Sequence, residues 1–424
     1  MAMKSFNERK WTTLFISVQL IVSFYLICNG FIQLAMPDLA STMIQKHSNL
    51  DLNRAFTVFV PGTTSEQWFS ERYSKLKQEI DNMNNVSGHG SFSTAQFFLL
   101  GLKNVEMYEA KNRELYKNTV LRGQEKLSYM VFLDESMFHS TKIDLYSGTT
   151  FSKADFMLAP TDTIPVWVGY DYKDTLRIGE EFSISWFGEN LKYHIVGVMA
   201  KGSKWIDKND YISEGVRDLD AAIVTPFLEY QMKFSPFIVT SLQRSTFFKM
   251  KDSKDISAIR SRINEVAANL GLATPIVHTI QEELDAYKSS KIELVKLNMF
   301  AGLFFLLTTS IGIITSSLSS IRARFYEFGV RKVYGESIIS IARTIITEVF
   351  VLIMLSAIMG GVWNYYSNSI WSTTYSSSVL ELFGIGIVFK LLVLASILTL
   401  SSVIYPIWFI YKRSPYTLIQ GGES

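Results

Sequence analysis

The residues able to do chemistry are scattered along this chain rather than gathered. Five histidines stand at positions 47, 89, 139, 194 and 278. No two have metal-ligand spacing and no HExxH run occurs, so surface or structural roles are expected for them. The single cysteine, Cys28, lies inside an apolar run, which excludes an intramolecular disulfide framework and a CxxC redox or metal site. The run GVMAKGSK at 197–204 approaches a phosphate loop. Its order differs from GxxxxGK[ST], however, and it sits in a β-hairpin pattern. Adjacent carboxylates such as Asp134 and Glu135, or Glu180 and Glu181, would point to opposite faces of a strand. Thus no catalytic residue, cofactor site or metal site is expected, and the chain alone is not expected to be an enzyme.

What remains is a set of charged and small residues beside long apolar runs. The chain is 48% hydrophobic and has a positive mean hydropathy, yet 19% of it is charged. That balance suggests a few membrane helices plus a sizeable water-exposed domain. Lys and Arg number 41 against 39 acidic residues, a net charge of +2, so no global field argues for nucleic acid.

Lys4, Arg9 and Lys10 precede an uncharged stretch at 11–37. It is too long for the apolar part of a signal peptide and 33–37 makes a poor cleavage site, so it reads as a retained span with the N-terminus in the cytoplasm. A second span falls at 294–321, a third at 345–363 and a fourth at 387–411. Between the second and third, Arg322, Arg324, Arg331, Lys332 and Arg343 outweigh Glu327 and Glu336, which places 322–344 in the cytoplasm. Lys412 and Arg413 hold the tail at 412–424 on the same side. Glu348, near the cytoplasmic end of the third span, would be a proton relay on one reading and a snorkelling or hydrogen-bonded structural residue on another. Lys390 marks the outer end of the fourth. The segment 364–386 is a short external loop with interfacial aromatics. Within the second span Thr308, Gly312, Ser316 and Ser320 recur every fourth residue. This is a small-residue stripe that would let another helix approach closely, although Ser and Thr can also bond back to their own helix.

The region 38–293 holds no further span and reads as one large extracytoplasmic α+β domain between the first and second helices. Its 55–60 stretch reads as a strand. A helix follows, with Thr64 and Gln67 as a capping box and Phe69, Tyr73, Leu76, Ile80 and Met83 on one face. A strand returns at 86–92. A comparable order recurs with a strand at 237–242, a helix face of Ile256, Ile259, Ile263, Val266 and Leu270, and a strand at 274–277. The two halves, about 50–105 and 235–280, predict a split β-α-β module with an inserted subdomain at about 106–234. Inside the insert, 174–184 and 192–198 alternate like paired strands around a loop at 186–190. Thr279 and Glu282 form a capping box for a helix with no Gly or Pro between Ile280 and Phe300, so it can continue into the second span. The fold class expected is therefore an α-helical membrane protein with four transmembrane helices plus that inserted domain.

The basic segment EFGVRKVYGES at 327–337 closely resembles the EIGIRKALGAS signature that follows the second transmembrane helix in MacB/FtsX-like ABC transporter permeases. Ile311-Gly312-Ile313 resembles the same family's GIGI. Tyr334 stands where leucine is common and Glu336 where alanine is common, both on the expected partner surface. In the tail, Tyr405-Pro406 followed by Pro415-Tyr416-Thr417-Leu418-Ile419 is similar to the family's terminal YPAwrAarldPieALr, with Thr417 for the common Glu and Leu418 for the Ala. The hairpin at 174–198 and DLDAAIVTP at 218–226 resemble parts of the family's extracytoplasmic domain.

The resemblance implies a permease subunit of the bacterial cytoplasmic (inner) membrane that works by mechanotransmission. Glu327, Phe328, Gly329, Arg331, Lys332, Tyr334, Gly335 and Ser337 would couple it to a separate ABC ATPase. The partner would use ATP and Mg²⁺, and this chain would bind no cofactor directly. It would pair with a second copy or a related permease, sit among membrane lipids, and engage an adaptor protein in some branches. Export of peptides, antibiotics or toxins is the first expectation and lipoprotein release the alternative. A membrane-anchored sensor or adhesin without an ATPase is a reading from a different class.

Overall fold

Four predominantly apolar stretches each form one long helix in the computed structural model, which describes residues 10–62, 65–117, 122–206, 216–372 and 384–419. The helices are Lys10–His47, Ile280–Ala323, Ile338–Ser372 and Ile385–Tyr411. Their parts Trp11–His47, Ile280–Ala323, Ile338–Ser367 and Gly386–Tyr411 are long and apolar enough to cross a membrane. All four outrun the spans expected at 11–37, 294–321, 345–363 and 387–411. The first continues through Pro37, which lies inside the helix, because proline forfeits only one ladder bond there and the flanking apolar residues still favour helix. Lys4 and Arg9 lie outside the described residues, as does 373–383 of the expected external loop. Helix 364–372 occupies the loop's beginning.

The chain divides into two compact units. One lies within Met36–Ser289, and the other gathers the long helices from the residues before Met36 and after Ser289.

The first unit is built on twelve strands: β1 (Ala55–Phe59), β2 (Val86–Phe98), β3 (Leu127–Leu133), β4 (Leu145–Gly148), β5 (Ile164–Val168), β6 (Glu181–Trp186), β7 (Glu189–Met199), β8 (Lys204–Trp205), β9 (Arg217–Asp218), β10 (Ala222–Pro226), β11 (Thr246–Met250) and β12 (Ile276–Thr279). Ten form one mixed sheet in the order β12-β1-β11-β2-β3-β10-β5-β7-β4, with β6 on β7; β8 and β9 pair separately. The first four positions, β12-β1-β11-β2, are all antiparallel. They interleave two β-α-β halves, the split arrangement the sequence pattern anticipates. The helix of each half lays its apolar face on these strands. Phe69, Tyr73, Leu76 and Ile80 of Gln67–Asp81 and Ile259, Ile263 and Val266 of Ile256–Asn269 bury together with Phe56, Val58 and Phe248.

One local expectation fails and another falls partly outside the described residues. The strand expected at 237–242 is the helix Pro236–Leu242, started by Pro236 at its N-terminus and by the Ser235 hydroxyl accepting from the Ile238 N–H. The half's first strand is instead β11, four residues on. Proline favours the first turn of a helix and cannot donate in a ladder, and these outweighed the apolar run. For the helix Gln67–Asp81, Thr64 lies outside the described residues, and the N-cap position is Glu66 without a side-chain cap bond.

The insert shares the sheet. β2 is 13 residues long. It pairs with β11 through 86–91 and with β3 through 92–98, so both regions hang on one strand. β5 and β10 are buried along their whole length, as strands covered on both faces must be. The hairpin β6-β7 turns through Phe187 and Gly188, both at positive φ, the conformation two-residue hairpins prefer.

Two glycines separate packing from backbone strain. A Cβ on Gly169 would lie 2.2 Å from the Asp220 carbonyl oxygen and 2.4 Å from that of Leu219, whereas a Cβ on Gly179, at φ +87°, would meet nothing within 4 Å. Gly169→Ala is therefore expected to cost about 3 kcal/mol through overpacking against backbone. Gly179→Ala should cost only about 1 kcal/mol of left-handed strain. The shifts in unfolding midpoint of the two variants check the order.

Candidate functional site

The segment after the second long helix folds as the short helix Phe325–Val333. Its spacing explains its rigidity. Glu327 sits three residues after Arg324 and four before Arg331, separations that face each other on a helix. Glu327 accepts from Arg324 at 3.0 Å and from Arg331 at 2.6 Å. These arginines, Arg324 first, hold the Glu327 carboxyl below its ordinary range. Arg324 also reaches Glu348 on the third long helix at 3.2 Å and lies over the Phe328 ring. Of the two readings open for Glu348, the structure thus supplies a partner for the structural one.

The other end is tied as well. Phe325 stacks on Phe409 of the fourth long helix with centroids 6.1 Å apart. Lys332 donates to the Arg413 carbonyl at 2.8 Å. The terminal helix Pro415–Ile419 packs along Phe325–Val333, with Leu418 fully buried.

The segment ends on Gly335 at φ +85°. The Glu336 N–H donates to the Arg331 carbonyl and the Gly335 N–H to that of Lys332, a Schellman cap that a left-handed glycine makes possible. Ser337 then opens the next helix, its hydroxyl accepting from the Ser340 N–H at 3.3 Å.

The residues expected to contact a partner therefore divide. Phe328 and Gly329 are buried. Glu327, Arg331 and Lys332 are engaged internally, and Gly335 and Ser337 shape the turn. Tyr334 is 87% exposed, and Tyr326, Val333 and Ile339 are exposed as well. Glu336, expected at the partner surface, is half-buried and engaged within the segment. It accepts from the Ser340 hydroxyl at 2.7 Å and lies 3.8 Å from Arg331, since a carboxylate just after the cap is drawn to the nearest guanidinium. Arg324 and Glu348 were not among the expected site residues. The three-residue spacing to Glu327 could have found Arg324, but the pairing with Glu348 depends on tertiary packing.

Within the bundle, the row of the second long helix that packs on the first is displaced from the expected stripe. Gly302, Leu306, Thr309 and Ile313 are its buried positions. A Cβ on Gly302 would lie 2.7 Å from Ile27, and Thr309 donates to Gln19. Thr308, Gly312, Ser316 and Ser320 are half-buried. Among these, Gly312 comes near Ile16, and the Thr308 hydroxyl bonds back to the Phe305 carbonyl. The reason is geometric: steps of four advance 400° on a helix of 3.6 residues per turn, so such a row drifts off any one face. Gly360 gives the third long helix a similar approach, since a Cβ there would lie 2.7 Å from the Ile21 carbonyl oxygen.

Arg324 and Glu348 are each 17% exposed; removing Arg324 takes the guanidinium from Glu348, whereas Arg324 would keep Glu327 if Glu348 were removed. Arg324→Ala is expected to cost about 2 kcal/mol, and adding Glu348→Ala should recover part of that loss. A double-mutant cycle on the unfolding midpoint of the solubilised chain measures it.

No protein-family model matches the chain, and no curated protein matches it. Among solved structures it is similar to the extracellular domain of the noncanonic ABC-type transporter YknZ from Gram-positive bacteria, at 11% identity and a TM-score of 0.32, over 53% of this chain and 99% of that one. It is also similar to the periplasmic region of MacB from Actinobacillus actinomycetemcomitans, at 10% identity and a TM-score of 0.30, over 54% of this chain and 89% of that one.

Proposed function

We propose that this chain is the permease subunit of a bacterial ABC transporter, converting the motion of a separate ATPase into movement of an extracytoplasmic domain. The observation that carries this reading is the clamped helix Phe325–Val333. It is fixed by Arg324 to Glu348, by Phe325 to Phe409 and by Lys332 to the Arg413 carbonyl, and it leaves Tyr326, Val333 and Tyr334 exposed. A force applied to such a segment passes to the helices instead of bending a loop. The sequence resemblance at 327–337 supports the same assignment.

In this reading the membrane is the bacterial cytoplasmic membrane, with both termini inside and the sheet domain outside. The helix Ile280–Ala323 is 44 residues long. It starts on the reciprocal Thr279 and Glu282 capping bonds and is long enough, at roughly 1.5 Å per residue, to cross a bilayer and project well beyond it. It would transmit the stroke. The permease would act as a dimer with itself or a related chain. ATP and Mg²⁺ would stay on the partner ATPase, with an adaptor protein joining on the outer side. Peptides, antibiotics or toxins are the proposed cargo.

Tyr334→Asp is the informative variant because the side chain is exposed and bears no packing. It should leave membrane insertion and unfolding midpoint unchanged while lowering recovery of the ABC ATPase in a mild-detergent pull-down by at least tenfold. Absence of any ATPase from the wild-type eluate, even with a non-hydrolysable ATP analogue present, would instead favour a membrane-anchored sensor or adhesin.

A further inference from the structure

A cleft of about 820 Å³ opens between the helix Gln67–Asp81, strand β2 and the short helices Glu229–Met232 and Pro236–Leu242. Its charged lining includes Lys77, Asp81, His89, Glu229 and Lys233. Most of these charges are already matched. His89 Nδ1 lies 2.7 Å from Asp81 Oδ1, and Lys233 pairs with Glu229 at the exposed rim.

Lys77 is different. Its Nζ reaches only the Ser91 hydroxyl, at 3.5 Å, and among the described residues no carboxylate forms an ion pair with it. The two carboxylates that attract it are committed elsewhere. Asp81 holds His89, while Asp134, behind Ser91, accepts the backbone N–H groups of Ser91 at 2.6 Å and Met137 at 2.7 Å. Burial pulls the Lys77 amine below its ordinary range; Asp134 and Asp81 oppose that pull, and the nearby Lys233 ammonium adds to it. Tyr73, which also lines the cleft, carries a buried hydroxyl with no hydrogen-bond partner. Met232, Val239 and Leu242 supply an apolar wall.

A half-buried ammonium that faces a cleft with one long hydrogen bond has room for an anionic partner. We propose that the cleft binds a ligand bearing a carboxylate or phosphate group, with the anion seated on Lys77 and within the field of Lys233, and an apolar body against Met232, Val239 and Leu242. The volume suits a ligand larger than inorganic phosphate, since small-molecule sites run to several hundred Å³. This inference does not depend on the transporter reading.

The test uses the full chain in lipid nanodiscs at fixed ionic strength. Hexanoate, inorganic phosphate, hexanol and chloride are compared as protectants of Lys77 against an amine-acylating reagent, read by peptide mass spectrometry. Hexanoate or phosphate should slow acylation at least threefold relative to chloride, while hexanol should not. Protection by hexanoate alone assigns a carboxylate ligand, and protection by phosphate a phosphorylated one. In parallel, the protecting anion should raise the unfolding midpoint of the wild type and not of Lys77→Met, which keeps the stem and removes the charge. Lys233→Ala, on the exposed rim, should weaken the effect without changing the fold. Equal acylation in all four solutions, or an anion-induced midpoint shift that Lys77→Met retains, overturns the proposal.

Discussion

The sheet depends on one strand changing partners in mid-course. β2 leaves β11 and takes up β3 between Ser91 and Phe92, and a buried strand cannot leave N–H or C=O groups unpaired where its ladder switches. Asp134 closes the gap twice. Its own N–H donates to the Ser91 carbonyl at 3.0 Å, its carboxylate accepts the Ser91 N–H at 2.6 Å, and Phe92 donates to the Ser245 carbonyl at 3.0 Å. The same carboxylate caps the helix Glu135–Ser140 through Met137. A buried carboxylate in turn calls for positive charge nearby. Burial pushes the Asp134 carboxyl up, opposed by the Met137 and Ser91 N–H groups and by His89 and Lys77. Lys249, drawn by Asp134, donates to the Ser140 hydroxyl at 2.6 Å. The ammonium left exposed to the cleft is thus a consequence of how the sheet is joined, because Asp134 spends both oxygens on backbone and offers Lys77 only its field.

The helical unit answers a different constraint. In lipid there is no hydrophobic gain from helix association, so close approach and interhelical hydrogen bonds must supply it. Gly302 and Gly360 bring the second and third long helices against the first at backbone distance, and Thr309 to Gln19 and Asn364 to the Tyr25 carbonyl add polar links. Tyr25 and Trp363 then pack with ring centroids 4.7 Å apart.

Much of this was legible from spacing. The helix faces at Phe69–Ile80 steps and Ile259–Val266 steps, the split halves and the Thr279/Glu282 cap follow from periods of 3.6 and 2 and from side-chain chemistry that acts within one turn. What escaped were features decided at long range. The apolar run at 237–242 satisfies a strand pattern, and only its Ser235-Pro236 start tells against one. The row against the first helix, Gly302 to Ile313, is a neighbour of the stripe from Thr308 to Ser320: small residues mark a packed helix, but the partner selects which row is used. Arg324 and Glu348 are 24 residues apart, and no local rule joins them.

The two positions that depart from the family pattern have different physical fates, and this bears on how partner choice could be encoded. Glu336 is spent inside the segment, holding Ser340 and drawn to Arg331 across the glycine cap. Tyr334 follows the helix's last residue and stands almost wholly in solvent, so its cost in the isolated chain is an exposed aromatic ring with little to stabilise it. Such a residue gains only when a second surface covers it, and rigid aromatics with two side-chain torsions lose little entropy on being covered. In the proposed reading, the buried residues of the segment would fix a platform and Tyr334 would be the side chain left for a second surface to cover.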